Sequence, residues 1–594
     1  MEMLRNRPEV TAASFLLCAL ASLVSARAEQ SGGILPAERL ADWTPGVQVG
    51  VPGGIPNNRT NLIDVTKAPF NADNTGQADA QPAIMQALAK AGENDVVYLP
   101  AGTYRVNGPV AVNKSKLTIR GDGPGKTIVM AYNSGRGGAI DVYFLTARGG
   151  WWDGKAPKLK ILGGPKRGAT VLSVEDTKAL EAYPDGGVGQ LCQLSLKNDP
   201  QLPVLAPANY DYLRKQKSRI VAKTANSVTI APGLLFDLPE TLEPYLSPGG
   251  GYIQFTGVED LTIDGTHSQT RHAPLMMQQA YGCWVKNVSI VNVPNYHLWI
   301  NESVQCEVRQ CHVAKRNKPM GPDGAGLLIG GCSFILAEDN ILAEAFPNIE
   351  VNSTSGSVFA YNFCDDKAVQ GDLLGGSINT NHAGHNSYNL YEGNVAPKIQ
   401  CDGYHGSASH DTLFRNWIHG TSAHTKQFWV CVNLNRFTRC YSLVGNVLGR
   451  KGHEWIYDAG ETPFHYGQHL IYALGFPNMG NGGFNGTAQL SQNKPWADWE
   501  KMATLEHGKG PGPGGFQELD LDVRATTLLK GNFNYKDGGV PASEALNGAT
   551  LPASLYLKAK PAWFGELAWP AFGPDADPES HKIPAQARYE ALAK

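Results

Sequence analysis

The sequence lacks the features that would point to a membrane span or a nucleic-acid partner. Beyond Val24, no stretch approaches the roughly 18 uninterrupted apolar residues that a membrane-spanning helix needs. Neither sign of charge dominates, because 51 Lys and Arg stand against 54 Asp and Glu, for a net charge of −3. We therefore expect neither a nucleic acid nor an anionic membrane as the main partner. With 594 residues, 42% of them hydrophobic, the chain is long enough for a large buried core.

The chain also lacks the cysteine spacing of a zinc site or a disulfide framework. Its ten cysteines include Cys18 near the N-terminus, and the others are odd in number, so they cannot all pair internally. No CxxC pair and no Cys/His pattern of the zinc type occurs. The cysteines lie among alternating apolar residues, as in "VQCEVRQC" and "WVCVN", which predicts buried free thiols.

The N-terminus has the pattern of an export signal. A basic "MEMLRNR" precedes an apolar stretch from Ala12 to Val24, and Ala26-Arg27-Ala28 supplies a small-x-small cleavage site. The apolar stretch is too short to span a membrane comfortably. We expect residues 1–28 to be a signal peptide and the mature protein to be soluble and secreted or periplasmic.

The next recognisable segment begins near residue 61. It contains a short helix with the core "AIMQAL", the strands and turn of "VVYLPAGTYRV", and "KLTIRGDG". In this order the motifs resemble the opening of the pectin-lyase-like superfamily, in its rhamnogalacturonase, epimerase and tailspike-like branch. The resemblance implies a single-stranded right-handed parallel β-helix, an all-β fold with an N-terminal capping helix. The family's usual Phe-Gly-Ala-x-Gly-Asp-Gly is altered at Asn71 and around Asn74 to Gly76, which we interpret as tolerated turn changes.

Composition and periodicity divide the rest of the chain. Residues 142–250 show period-two alternation separated by turns such as "TANS", which predicts an antiparallel β insertion between early coils. The predicted segments are the signal peptide 1–28, an extended leader 29–60, the cap and first coils 61–141, the insertion 142–250, the main β-helix 251–540 and a C-terminal tail 541–594 that packs on the helix. The sequence does not decide between a monomer and a homotrimer.

Asparagine recurs at the end of short apolar runs. The positions are Asn340, Asn362, Asn394, Asn416 and Asn446, so the steps are 22, 32, 22 and 30 residues. A step of about 22 residues is one coil of a parallel β-helix, and the longer steps are one coil with an inserted loop. Asparagine tolerates a tight turn and can hydrogen-bond to its copy in the next coil, so we expect a structural stack.

Counting back from each asparagine predicts which side chains share one outer face. Alternation sets Ile349 and Val351 inward and turns their neighbours outward. Acids, histidines and aromatic rings then fall on adjacent coils, where a solvated sheet face would carry Lys, Glu, Thr and Ser. The predicted catalytic residues are Glu350, Asp402, His382, His405 and Tyr404. The predicted substrate-binding residues are Trp299, His297, Asn348, Asn352, His385, Asn435, Arg436 and His424.

Two cleavage chemistries and one binding role fit that face. Glu350 and Asp402, two coils apart, suit an inverting glycoside hydrolase, which the sequence slightly favours. The alternative is a polysaccharide lyase, in which His382, His405 or Tyr404 removes and returns protons on a uronate-containing glycan. A non-catalytic glycan-binding β-helix is the second alternative. The expected partner in each case is a polysaccharide or oligosaccharide.

No cofactor is required by these chemistries. Asp365 and Asp366 are adjacent carboxylates in one of the inserted loops, which makes them candidates for a calcium site. A solvated acidic turn paired with Lys367 is the competing interpretation.

Overall fold

The computed structural model describes residues 33–132, 145–148, 156–202, 212–268, 273–316, 324–365, 367, 377–422, 429–458, 468–476, 520–576 and 578–592. The side chains of 145–148, Tyr404, His405 and Phe476 lie outside this described part. The predicted signal peptide and the residues Asp366 and His424 also lie outside it. Within the described residues, no helix is both long and apolar enough to cross a membrane.

The chain folds as a right-handed parallel β-helix whose coils contribute to three parallel ladders. Two of them, the scaffold ladders, join at the long strands Gly257–Asp264 and Trp284–Val293, which pair with both. The first scaffold ladder also contains Leu62–Asp64, Val96–Tyr98, Thr118–Arg120, Glu307–Arg309, Leu336–Glu338, Val358–Ala360, Leu390–Glu392, Thr412–Phe414, Ser442–Val444 and Leu528–Lys530. The second also contains Thr75–Asp79, Gly102–Val106, Thr127–Ala131, His312–Arg316, Ile341–Ala343, Phe363–Cys364, Val395–Ala396, Trp417–Ile418, Val447–Leu448 and Phe533–Asn534.

The third ladder is an 11-stranded parallel sheet, which we call the groove sheet. In sheet order it contains Ala111–Val112, Leu145–Arg148, Leu275–Gln278, Leu298–Asn301, Leu327–Gly330, Ile349–Asn352, Ile378–Ala383, Ile399–His405, Val430–Asn435, His469–Phe476 and Trp455–Asp458. Alternate residues such as Ile300, Ile329 and Val351 are fully buried in the helix interior. A small separate pair joins Ile253–Gln254 to Ala280–Tyr281.

The asparagine stack is confirmed and forms the corner between the scaffold ladders. Each Nδ2 donates to the Oδ1 of the next coil at 2.9–3.0 Å, from Asn340 through Asn362 and onward. The stack continues one coil beyond the predicted set, because Asn446 donates to Asn532 at 2.9 Å. It ends where Asn532 Nδ2 donates to a carboxylate oxygen of Glu544 at 2.6 Å. We call this row the asparagine corner.

The N-terminal end of the β-helix is covered by the predicted helix, which spans Gln81–Lys90. Its buried face carries Ile84, Ala87 and Leu88 and belongs to the main interior core. The helix begins two residues after Asp79, which ends a strand and whose Oδ1 accepts the Gln81 N–H at 3.1 Å. Two further α-helices, Leu521–Thr526 and Pro584–Leu592, lie toward the C-terminus.

The predicted antiparallel insertion is present as a closed six-stranded barrel. Its strands are Leu159–Leu162, Val171–Val174, Leu191–Ser195, Lys215–Lys223, Ser227–Ala231 and Tyr245–Pro248. Leu172, Leu194, Ile220 and Ile230 fill its core. The barrel packs along one edge of the groove sheet, where Lys217 N donates to Ser333 Oγ at 2.9 Å.

Leader and tail both pack on the β-helix. In the leader, Trp43 is buried and its Nε1 donates to the Tyr388 carbonyl at 2.9 Å. In the tail, Phe564 is buried and Trp569 Nε1 donates to the Tyr361 hydroxyl at 2.9 Å. The division into separate segments stays a prediction. Short 3-10 helices span Ala37–Arg39, Lys178–Ala182, Pro184–Gly187, Glu240–Leu242, Ala542–Glu544 and Ala562–Phe564.

The cysteines behave as predicted. All nine that the structure describes are free thiols, eight of them buried and Cys440 partly buried. Burial raises the pKa of Cys311, Cys332 and Cys401 to about 12, which keeps these thiols protonated and unreactive at neutral pH.

Candidate active site

The outer face of the groove sheet carries a continuous row of side chains. Strand register places them opposite one another in six consecutive strands, in the order Trp299, Leu328, Glu350, Asn379, Gln400 and Asn433. The residues on either side of this row, such as Ile349 and Ile378, point into the core. The outward direction of Glu350 therefore follows from the alternation of a β-strand.

Register breaks interrupt this regular face at the strands Ile378–Ala383 and Ile399–His405. Glu350 pairs with Asn379 but Asn352 pairs with Ala383, so residues 380–382 oppose a single residue. In the next strand, residues 402–404 similarly oppose His382. Bulges of this kind re-aim side chains and are concentrated beside active sites.

The bulge corrects one orientation expected from simple counting. Counting back from Asn394 predicts that Thr380 points outward, but its Oγ1 lies 3.1 Å from the Gln400 carbonyl and 3.1 Å from the buried Tyr441 hydroxyl. The bulge over residues 380–382 interrupts the alternation and leaves His382 on the outer face, next to Asp402.

Asp402 is the hub of a polar cluster on this face. Its Oδ2 lies 3.0 Å from His382 Nδ1 and accepts a 2.6 Å hydrogen bond from Asn379 Nδ2. The Asp402 residue is 3% exposed, whereas the His382 side chain is 28% exposed. A carboxylate at Nδ1 fixes the imidazole orientation and places the basic lone pair on Nε2. Such an arrangement can orient an imidazole for proton transfer, with the carboxylate as the positioning group.

Glu350 belongs to a second, adjoining cluster. Its Oε1 accepts a hydrogen bond from Asn352 Nδ2 at 3.0 Å, and Asn352 Oδ1 accepts the Ala383 N–H at 3.1 Å. Asn352 thus ties Glu350 to the bulged strand that carries His382. Two carboxylates, one imidazole and two amides are brought onto one face by three neighbouring strands.

The barrel and the groove sheet together line a cleft of about 190 Å³. The barrel side contributes Gln193, Lys215 and Lys217, and the groove sheet contributes Trp299, Asn301, Leu328, Gly330 and Asn352. We call this space the barrel cleft. Asn352 lines the cleft and also hydrogen-bonds Glu350, so the cleft and the acidic cluster adjoin.

Several predicted site residues lie on this face. Glu350, Asp402, His382, Trp299 and Asn352 are placed there by strand register or by the contacts above. Asn435 is also in the groove sheet, where its Nδ2 donates to Asn433 Oδ1 at 3.2 Å. The backbones of Tyr404 and His405 complete the strand that carries Asp402, but their side chains are outside the described part.

Three predicted binding residues are buried inside the scaffold, away from the outer face of the groove sheet. His297 is fully buried, its Nε2 lies 3.1 Å from the Lys315 carbonyl, and burial lowers its pKa to about 4. His385 lies 2.7 Å from Ser409 Oγ, and burial lowers its pKa to about 3. Asn348 is fully buried and its Nδ2 donates to the Leu342 carbonyl at 2.7 Å. Counting along the strands did not distinguish a corner position from an outward one.

Two other predicted residues are nearly buried and contact neighbouring groups of the protein. Arg436 is 6% exposed, and its guanidinium lies 5.0 Å from the Phe437 ring centroid, just beyond the end of its strand. Asp365 is 3% exposed, accepting the Glu344 N–H at 2.9 Å and the Tyr589 hydroxyl at 3.1 Å. Across the described ranges, no group of three or more His, Cys, Asp or Glu side chains is arranged to hold a metal ion.

Four contributors to the face were missed by sequence reasoning. Asn379 and Gln400 follow inward isoleucines, so starting the alternation at Ile378 and Ile399 finds both. Lys215 and Lys217 belong to the barrel, and nothing in their local sequence indicates that they face a groove in another part of the chain.

Comparison with known proteins agrees with the fold and leaves the reaction open. Residues 64–155 match a family model described as rhamnogalacturonase A/epimerase, pectate lyase-like. A probable pectinesterase/pectinesterase inhibitor 16 of Arabidopsis thaliana is 32% identical over 76 residues, covering 13% of this chain and only 14% of that relative.

Solved structures with a similar architecture are distant in sequence. The tailspike gp61 of Pseudomonas phage phi297 is 11% identical, with a TM-score of 0.47 over 70% of this chain and 67% of that one. The A-module of the mannuronan C-5 epimerase AlgE4 of Azotobacter vinelandii is 14% identical, with a TM-score of 0.32 over 70% of this chain and 96% of that one.

Proposed function

We propose that this pectin-lyase-like parallel β-helix protein is an exported carbohydrate-active enzyme that cleaves a glycan bound along the groove sheet. The observation that carries the proposal is the contact between His382 Nδ1 and Asp402 Oδ2 at 3.0 Å. A partly exposed imidazole that is fixed by a nearly buried carboxylate is an established arrangement for moving protons at neutral pH.

The contacts of Asp402 favour β-elimination over hydrolysis. Its Oδ2 already contacts His382 Nδ1 and Asn379 Nδ2, and the residue is 3% exposed. Asp402 is therefore suited to positioning His382 rather than to direct attack on a sugar. In the elimination, His382 Nε2 takes the proton at C5 of a uronate, and the electron pair forms the C4–C5 double bond. The C4–O bond then breaks and the leaving oxygen takes up a proton. Tyr404 and His405, in the same strand as Asp402, remain the candidate acids.

Inverting hydrolysis is the second candidate, and the relative position of two carboxylates supports it. The strands of Glu350 and Asp402 are separated by one strand, which puts their backbones roughly 9.6 Å apart across the sheet. Side chains that lean together reach the roughly 6.5–9.5 Å that an inverting acid and base require. In this reaction Glu350 and Asp402 are the acid and the base, and His382 has only an indirect role through its contact with Asp402.

A glycan panel with two readouts separates these reactions. Elimination produces new reducing ends together with the absorbance of an unsaturated uronate, whereas hydrolysis produces reducing ends without that absorbance. No product from any uronate-containing or neutral polysaccharide would contradict the enzyme and favour a glycan-binding protein.

Two variants sharpen the assignment. For elimination, Asp402→Asn should lower kcat about 10²–10⁴-fold because the imidazole loses its orientation. Glu350→Gln should then lower kcat by less than Asp402→Asn. If Glu350→Gln and Asp402→Asn abolish turnover equally, and the wild-type protein forms no unsaturated product, the hydrolytic assignment replaces elimination.

We assign no resident cofactor to either reaction. Treatment with EDTA should therefore leave the rate unchanged. A rate that falls with EDTA and returns with calcium would contradict this and direct attention to the loop containing Asp365 and Asp366.

A further inference from the structure

The barrel cleft has an excess of positive charge. Lys217, whose side chain is 3% exposed, pairs with Glu302 Oε2 at 2.7 Å and donates to Gln193 Oε1 at 2.7 Å. Lys215 adds a second ammonium group, and Glu302 is the single carboxylate among the residues that line the cleft. Two ammonium groups against one carboxylate leave about one unit of positive charge uncompensated.

The surroundings of Lys215 make that charge costly without a ligand. In the described part of the chain, no oxygen accepts a hydrogen bond from its ammonium group. Burial lowers the pKa of Lys215, the neighbouring Lys217 lowers it further, and Glu302 acts in the opposite direction. A partly buried cation gains most from an anion that enters the same space.

The opposite wall of the cleft has the composition of a sugar site. Trp299 offers an aromatic ring, and Asn301 and Asn352 offer amides that can bind hydroxyl groups. Gly330 lies between them, and a Cβ there would sit 3.0 Å from Asn301 Oδ1 and 3.4 Å from Trp299 Nε1. Glycine therefore keeps the space between ring and amide open.

We propose that the barrel cleft is a subsite for a sugar unit that carries an anionic group, a carboxylate or a sulfate, with Lys215 as its principal partner. The inserted barrel thereby selects anionic glycans for the groove. This inference rests on the proposed function, since it assumes that a glycan lies along the groove sheet.

The subsite binds a different sugar unit from the one at His382. The strand of Trp299 lies three strands from the strand of His382, roughly 14 Å across the sheet. A chain that occupies both places therefore extends along the groove from the barrel toward Asp402. Lys215 is then a determinant of binding and specificity and has no part in the proton transfer.

Binding is best measured in the His382→Asn protein, so that turnover does not interfere. The probes are oligogalacturonate, a sulfated carrageenan oligosaccharide and a neutral xylo-oligosaccharide, each titrated by calorimetry. Adding Lys215→Gln should weaken binding of the preferred anionic probe about tenfold and leave neutral binding unchanged. Lys215→Arg should restore part of the affinity, and Lys178→Gln, an exposed barrel lysine, should change nothing.

The outcomes distinguish this proposal from the catalytic one. The carboxylate and sulfate probes decide which anion is bound, and affinity for the preferred probe should fall as salt concentration rises. Equal affinity for neutral and anionic probes, unchanged affinity in a folded Lys215→Gln protein, or no binding of either anionic probe would overturn the subsite. If His382→Asn retains turnover while Lys215→Gln loses anionic binding, the catalytic assignment fails and the subsite stands.

Discussion

The asparagine corner and the groove use the same residue types in very different ways. Asn394 is fully buried and meets an identical residue above and below, while Asn379 donates to a carboxylate on the outer face. His385 is sealed against Ser409, while His382, three residues earlier, is partly exposed beside Asp402. Asp411, nine residues after Asp402, is fully buried in the interior.

The difference shows that residue type does not decide role in this fold. At the asparagine corner each amide finds its partner in the next coil, so the regular repeat pairs these buried donors and acceptors. On the groove face the register is broken at two neighbouring strands, and polar groups of different kinds meet across the bulges. The repeat stabilises the protein, and the departure from the repeat assembles the candidate site.

The two histidines provide the strongest test of this contrast. We expect His382→Asn to lower kcat about 10²–10⁴-fold with little change in stability, because a partly exposed proton-transfer group is removed. His385→Asn should instead retain turnover and lower the free energy of unfolding by about 1–3 kcal/mol, since the buried hydrogen bond between the imidazole and Ser409 Oγ is lost. Steady-state kinetics and chemical denaturation of both variants provide the measurement. If the two variants exchange these effects, the division between sealed and groove residues is wrong.

The next largest effect should come from the asparagines. The Asn394 side chain makes four hydrogen bonds, accepting from Asn362 N and Nδ2 and donating to the Phe359 carbonyl and Asn416 Oδ1. Asn394→Ala leaves these buried groups unpaired and should lower the free energy of unfolding by roughly 3–5 kcal/mol.

A groove asparagine supplies the matched control for that measurement. The Asn435 side chain donates one bond of 3.2 Å, to Asn433, so Asn435→Ala should cost less than about 1 kcal/mol. Both costs are read from urea denaturation at one temperature. Equal losses in the two variants would show that the corner stack contributes no more than an ordinary polar contact.

A pH dependence carried by Asp411 gives a further test of the sealed positions, through a single buried carboxyl group. Burial raises its pKa to about 8, with Asn389 N and the Tyr441 hydroxyl donating to its carboxyl oxygens. Because the unfolded chain ionises near pH 4, the folded state binds more protons between about pH 4 and pH 8. This contribution to stability is therefore complete at low pH and is lost as the pH rises, by up to about 1.4 kcal/mol per pH unit.

Asp411→Asn removes that dependence. Its stability relative to the wild-type protein should rise steadily from about pH 5 to about pH 8, measured by denaturation at several pH values. A difference between the two proteins that is constant with pH would mean that Asp411 is already ionised in the folded state.

Much of the scaffold could be predicted from particular residues. The spacing from Asn340 to Asn446 predicted the corner, and the alternation around Ile349 predicted the outward direction of Glu350. The count back from Asn394 failed at Thr380, because bulges change the number of residues between the strand and its asparagine. It also failed at His297 and His385, because a polar residue near a corner satisfies the same pattern as one on the open face.

Local sequence by itself determined the parallel coils, the capping helix and the free buried cysteines, because these depend on periodicity, turn residues and hydrophobic burial within one or two coils. The tertiary structure alone decided which histidine meets Asp402, since a bulge in one strand acts only through its register with the next. It also decided that barrel lysines face Trp299, because residues far apart in sequence meet only after the insertion folds back onto the sheet.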